Sequence, residues 1–263
     1  MTRHKQWLDV SIIDNIGIAG PTTEAAIVSF QKNACSLLRP DGLVSVGGFT
    51  SKRLSMAIIP RPLHRVFAAQ CWNHPNVGLP NTAYATAAKT LDCEVAAVTA
   101  VAKTETQRAS WDNEGRPTIL YERHYFSGRT NHVFDRTHPD ISNKTAGGYG
   151  RFSEQYPKLY RAAVLDEHAA LQSASWGTFQ IMGANFKAAG FQTVEDFVSA
   201  MLDSEQRQLD AFVSFIANNP TLKTALHDKR WAAFARIYNG PNYRDNDYDT
   251  ILGQNYNAAA AGR

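Results

Sequence analysis

The stretch SASWGTFQIMG, residues 173–183, sets a glycine between two aromatic residues and an amide directly after the second ring. Gly177 marks a tight turn that exposes backbone, and the Gln180 amide can donate and accept at once, as a ligand rich in hydroxyl and N-acetyl groups requires. Trp176 and Phe179 can line a groove for such a ligand or fill a core, and the residue types alone suit both. Downstream, ARIYNGPNY at 235–243 has the same blend of aromatic, amide and glycine. Gly240 just past a helix and Pro241 blocking its continuation predict a helix from near Lys229 to Tyr238. Tyr238 then stands at the helix end, its hydroxyl reaching a cleft or its ring packing the last turn.

Upstream, LDCEVAAVTAVAKTE at 91–105 carries Leu91, Val95, Val98, Ala102 and Glu105 at spacings of 4, 3, 4 and 3, one face of a helix with a carboxylate at its end. Burial and the helix dipole both disfavour the charge there and raise the pKa, which suits an acid that protonates a leaving oxygen near neutral pH. The alternative is a solvated Glu105 paired with Lys103 or Arg108. Asn81 or Thr82, Asp92 and Thr193 are candidate N-caps, with Asp196 completing a loose capping box after Thr193.

One region departs from helical spacing: RPTILYERHYF at 116–126 is β-branched and aromatic and follows a polar turn, which predicts a short strand or hairpin. Residues 127–150 are polar and glycine-rich and read as a long loop over a cleft.

The first sixty residues hold a weak repeat, DNIGIAGPTTEAA at 14–26 and DGLVSVGGFTSKRL at 41–54. Each half reads as a loop feeding a helix capped by Thr22 or Thr23 and by Thr50 or Ser51. Ile27, Phe30, Ala34 and Leu37 make one apolar stripe, and two or three short helices are expected. The prolines of AIIPRPLHRV at 57–66 stiffen a connection and place a domain boundary there, giving domains at 1–60 and 61–263.

The composition of the 263 residues, 44% hydrophobic and 19% charged, is that of a globular protein. The net charge of +3 is scattered and forms no basic stripe, so no nucleic-acid partner is expected. The amino-terminal residues lack the apolar run of a secretory signal and no stretch suits a membrane span, which predicts a cytoplasmic start and no stable membrane insertion. Cys35, Cys71 and Cys93 are widely spaced and read as reduced and buried. The eight histidines form no HExxH or other paired ligand spacing, so no metal and no cofactor are expected. A monomer is expected.

Two resemblances follow from these segments. GPTTEAAIVSFQ, Gly20 to Gln31, resembles the small peptidoglycan-binding domain of cell-wall hydrolases, although GGFT stands where its second half usually has Gly-Pro-x-Thr. Glu105 at a helix end, then GTFQIM, then ARIYNGP follow the motif order of goose-type lysozymes and soluble lytic transglycosylases. ILYERHYF at 119–126, GGYG at 147–150 and SASWGTFQIMG together resemble the N-acetylmuramidase domain of phage endolysins. The Thr-Gln-Arg after Glu105 departs from the Glu-Ser-x-Gly frequent in that family.

The resemblance implies a mainly α chain: a small three-helix wall-binding domain, then a larger lysozyme-like α+β domain with a short β element. It implies a peptidoglycan substrate, cleavage of the β-1,4 bond between N-acetylmuramic acid and N-acetylglucosamine, and host lysis after release from the bacterial cytoplasm to the cell wall. Glu105 becomes the general acid, while Trp176, Phe179, Gln180, Tyr238 and Asn239 become substrate-binding residues. Of the other carboxylates, Asp112, Glu114 and Glu122, the last is expected to be the second catalytic group because it sits in the ILYERHYF motif on a rigid strand; a structural Glu122 bound to His124 is the alternative. A lytic transglycosylase leaving anhydromuramic ends, or an inactive wall-binding protein, remain rival readings.

Overall fold

The computed structural model describes residues 21–33, 37–44, 50, 59–67, 78–105, 110–112, 114–241 and 243–262. Its contacts divide the chain into two compact units, residues 1–59 with 71–73, and residues 60–70 with 74–263. Cys35, Cys71, Ala34, Ser51 and the Thr-Gln-Arg loop after Glu105 lie outside the described residues.

In the smaller unit, helix α1 (Pro21–Asn33) begins at a proline, whose fixed φ suits a first turn and whose missing N–H costs nothing there. Thr22 and Thr23 therefore fall inside the helix and not at its cap. Gln31 is 1% exposed and acts as the hub of the following loop. Its Nε2 donates to Asp41 Oδ1 at 2.6 Å, Leu43 O at 3.0 Å and Thr50 Oγ1 at 3.1 Å. Its Oε1 accepts from the amides of Asp41 at 3.0 Å and Gly42 at 2.9 Å. One buried side chain thus closes the loop that the D-G-L-V segment makes.

The larger unit is mostly helical. After the short α2 (His64–Phe67) come α3 (Asn81–Leu91) and α4 (Val95–Glu105). Asp92, expected to start a helix, ends one: it adopts φ +56 and its amide donates to Ala88 and Lys89 carbonyls. The break at 92–94 rotates the apolar stripe, so Val95 is 43% exposed while Val98, Val101 and Ala102 are buried. Glu105 is the last residue of α4, as its spacing from Val98 and Ala102 implied.

Strand β1 (Ile119–Tyr121) is shorter than expected, because Glu122 O accepts from the Tyr125 and Phe126 amides and opens α5 (Arg123–Arg129). The ERHYF half of that segment is a helix that buries Phe126. The loop after α5 is anchored by Ile141, fully buried, whose carbonyl accepts from Tyr121 Oη at 2.9 Å. Helices α6 (Gln155–Leu165) and α7 (Glu167–Gln172) follow.

The chain then enters β2 (Ala174–Trp176), turns, and returns as β3 (Ile181–Met182). The three strands form one antiparallel sheet in the order β1-β2-β3, with Ile119 opposite Trp176 and Trp176 opposite Ile181. Helices α8 (Val194–Asp203), α9 (Glu205–Ala217), α10 (Pro220–His227), α11 (Trp231–Tyr238) and α12 (Tyr248–Ala260) complete the unit. Thr193 caps α8 and exchanges hydrogen bonds with Asp196. Ser204 and Asn219 cap the next two in the same way. The core gathers Trp176, Phe126, Phe179, Phe197, Phe212 and Phe234, all fully buried.

The mainly α architecture with a small sheet agrees with the sequence expectation. Among the described residues no helix is long and apolar enough to cross a membrane.

Candidate active site

The ends of α4 and α11 meet at Glu105. Its Oε1 accepts from Asn239 Nδ2 at 2.9 Å. Asn239 is the C-cap of α11, followed by Gly240 at φ +93, so the YNGP stop places the amide where the helix halts. The preceding Tyr238 donates its hydroxyl to the Phe179 carbonyl at 2.6 Å, which ties this helix end to the β2–β3 turn. Its ring stacks on Phe234 and meets Phe212 and Phe215 edge-on. Tyr238 is both the anchor and the packing element of that last turn.

The acid's own helix is braced from behind. Asn255 Nδ2 of α12 donates to Thr104 Oγ1 at 2.9 Å, and Thr104 in turn donates to the Ala100 carbonyl at 2.8 Å. Glu105 is half-buried, keeping an open side while its carboxyl lies at interior depth. Burial pushes its pKa up to about 7, against the Asn239 hydrogen bond that favours the charged form. The net result is a carboxylic acid that holds its proton up to neutrality. The same burial, with Glu105 nearby, lifts the Tyr238 phenol well above its usual value. One further atom is notable: Asn239 Oδ1, beside Glu105, is buried with no hydrogen-bond partner among the described residues.

The hairpin turn is built by glutamines. Gly177 takes φ +70, and an added Cβ there would lie 2.6 Å from the Gln208 side chain. Gln208, 1% exposed, accepts from the Thr178 amide at 2.7 Å and donates to Met201 O at 2.8 Å. Gln180 takes φ +46; its Nε2 donates to Gly177 O at 2.8 Å and Thr118 O at 3.2 Å, and its Oε1 accepts from Ser175 Oγ at 2.8 Å. The Gln180 amide is thus largely committed to shaping the turn. Trp176 and Phe179, fully buried, face the core and not a groove: Trp176 Nε1 donates to Leu171 O and Phe179 stacks on Phe212 at 4.5 Å. What Phe179 brings to the site is its backbone carbonyl.

The remaining carboxylates are occupied. Asp112 receives Arg116 Nε at 2.8 Å and its NH2 at 2.7 Å, and Glu114 receives the NH1 at 3.0 Å. Arg116 itself lies over the Tyr156 ring at 4.0 Å. Glu122 sits at the far end of β1 from Thr118, about 13 Å away at the usual strand rise. Its Oε1 accepts from Tyr149 Oη at 3.1 Å and its Oε2 lies 3.1 Å from His124 Nδ1. Burial raises its pKa, partly opposed by His124 and Tyr149. Sequence patterning brought Glu105, Tyr238 and Asn239 together; it did not reveal Gln208, Thr104 or Asn255, each of which resembles an ordinary polar residue of a helix.

Among the described residues no cluster of His, Cys, Asp and Glu is arranged to hold a metal. Cys93, half-buried, has its thiol pushed up to about 11 by burial and by Asp92 and Glu94. It is therefore no nucleophile at neutral pH.

Comparison with known proteins places the chain in a family. The profile of the family described as Muramidase, N-acetylmuramidase, matches residues 94–260, from the residue before α4 to the end of α12. The crystal structure of the Burkholderia AP3 phage endolysin is similar with a TM-score of 0.66 and 31% sequence identity, covering 98% of this chain and 94% of that one. No curated protein sequence matches the chain. The acid, its amide partner and the hairpin all fall inside the matched span, and the chain belongs to the N-acetylmuramidase family of glycoside hydrolases that act on peptidoglycan.

Proposed function

We propose that this protein is a phage endolysin that cleaves the β-1,4 bond between N-acetylmuramic acid and N-acetylglucosamine, with Glu105 as the general acid. The observation that carries this reading is a half-buried carboxyl with its pKa at about 7, held by Asn239 at 2.9 Å. At neutral pH such a group gives its proton to the bridging oxygen as the C–O bond breaks and positive charge develops on the muramic acid ring.

A second carboxylate is not required by this arrangement. Asp112 and Glu114 are neutralised by Arg116, and Glu122 is engaged by Tyr149 and faces His124. The buried Asn239 Oδ1, without a partner among the described residues, is an acceptor next to the acid, suited to orient a water that attacks the anomeric carbon or to receive the substrate's acetamido N–H. Gln180 and Tyr238 contribute by fixing the turn and helix end that form the wall of the site. Trp176 and Phe179 support that wall from within the core.

The unit carrying α1 and the Gln31 hub serves as a wall-binding domain, which raises the local concentration of glycan for the catalytic unit. Release to the cell wall and lysis of the bacterial host complete the reading. Digestion of purified sacculi tests the bond and the outcome together. Mass spectrometry is expected to find new reducing muramic acid ends; products ending only in anhydromuramic acid would make the nucleophile the sugar's own 6-hydroxyl and the protein a lytic transglycosylase.

A further inference from the structure

The GGYG loop at 147–150 is held by more machinery than an exposed loop requires. Lys158, 9% exposed, donates from Nζ to the Gly148 carbonyl at 2.8 Å and the Tyr149 carbonyl at 2.6 Å. Gln155, 2% exposed, donates from Nε2 to Tyr149 O at 2.7 Å and Arg151 O at 3.0 Å, and its Oε1 accepts from the Tyr121 amide at 2.9 Å. Burying a lysine to solvate two loop carbonyls is costly unless the loop's position matters. Gly148, at φ +68, seals the other side, since a Cβ there would lie 2.6 Å from the Arg123 guanidinium.

What this clamp fixes is Tyr149. The residue keeps 37% of its surface exposed while its hydroxyl donates to Glu122 Oε1 at 3.1 Å. Beside it, Glu122 Oε2 and His124 Nδ1 lie 3.1 Å apart as an ion pair whose side chains stay 14% and 30% exposed. A partly exposed aromatic residue next to a partly exposed polar pair is how a pyranose is gripped: the ring covers the sugar's C–H face and the polar side chains take its hydroxyl or amide edge. The Tyr149 phenol is raised by burial and by Glu122, and also feels Tyr248 at the start of α12, which follows the segment carrying Asn239.

We propose that Tyr149, Glu122 and His124 form a saccharide-binding subsite for an amino-sugar residue of the glycan chain, positioned by Lys158 and Gln155 and distinct from the acid at Glu105. In this role Glu122 is a binding group and not the second catalytic carboxylate. The proposal rests on a glycan being the substrate, but not on Glu105 being the acid.

The test uses a defined hexasaccharide of alternating N-acetylglucosamine and N-acetylmuramic acid with the full-length protein. Tyr149→Ala is expected to raise KM about tenfold with kcat within about twofold, and Tyr149→Trp to keep KM near the parent value because it keeps an aromatic face. Binding of the same hexasaccharide to Glu105→Gln protein, followed by calorimetry, is expected to weaken about tenfold when Tyr149→Ala is added, with the melting temperature checking the fold. An unchanged affinity in folded Tyr149→Ala overturns the subsite. Loss of kcat at constant KM in Glu122→Gln overturns its binding role and returns Glu122 to the chemistry. Should Glu105→Gln retain full cleavage, the acid assignment fails alone, and the two affinities still decide the subsite.

Discussion

At the residue scale the account turns on one carboxyl whose neutral form the fold favours. Glu105 reaches about 7 because burial penalises its charge more than the Asn239 hydrogen bond relieves it. The consequence for stability has a definite sign. Below the unfolded value near 4.5 the acid is protonated in both states and costs nothing. As pH rises through about 7 the folded protein must accept a buried charge that the unfolded chain hydrates freely, so stability falls across that window. Glu105→Gln removes the ionisation, and its stability relative to wild type should improve between pH 4 and pH 8 by on the order of 2 kcal/mol, allowing for the open side of the site. Denaturant unfolding at the two pH values measures it, and a difference that does not change with pH would mean the carboxyl is solvated. This position was legible in the sequence because Val98, Ala102 and Glu105 share a helix face within α4. Leu91 and Val95 were not part of that face, since Asp92 ends the preceding helix in a left-handed conformation. A single αL residue resets the phase of a helical pattern, and periodicity cannot see it.

At the scale of elements, the site depends on how the β2–β3 turn is held. Gln208 joins α9 to the turn through the Thr178 amide and to the end of α8 through Met201 O. Gln208→Leu leaves a buried N–H and a buried carbonyl without partners, and destabilisation of about 2–4 kcal/mol is expected from two such groups. Thermal or urea unfolding checks this, and a loss under about 0.5 kcal/mol would show that the turn does not need the contact. The Gly177 turn, the Tyr238 helix end and the Thr193 cap were readable because glycine, proline and hydroxyl side chains act locally. The tail of RPTILYERHYF misled because aromatic residues suit a buried helix as well as a strand. Its fate was decided by Glu122 O capturing the Tyr125 and Phe126 amides. The hairpin partner contacts and the Asn255 brace on Thr104 are long-range, separated by up to 151 residues, and leave no mark on local sequence.

For the whole molecule, we propose that catalysis and wall attachment belong to separate units. The sequence signalled the smaller unit by GPTTEAAIVSFQ, and the structure gives its Gln31 a scaffold role, with every polar atom of the amide engaged inside the loop at 41–43 and at Thr50. Gln31→Ala should therefore collapse that loop and reduce sedimentation with purified sacculi at least several-fold, while cleavage of a soluble oligosaccharide stays within about twofold of wild type. Equal loss of both activities would mean that the units do not divide the work.

The most direct measurement is the rate of Glu105→Gln on a defined glycan, with the fold verified by its melting temperature. A proton donor contributes about 10²–10⁴-fold to such a reaction. The account expects kcat/KM to fall by at least about 10² with little change in glycan affinity. A folded variant that cleaves within about tenfold of wild type would contradict it, and the proton would have to come from another group.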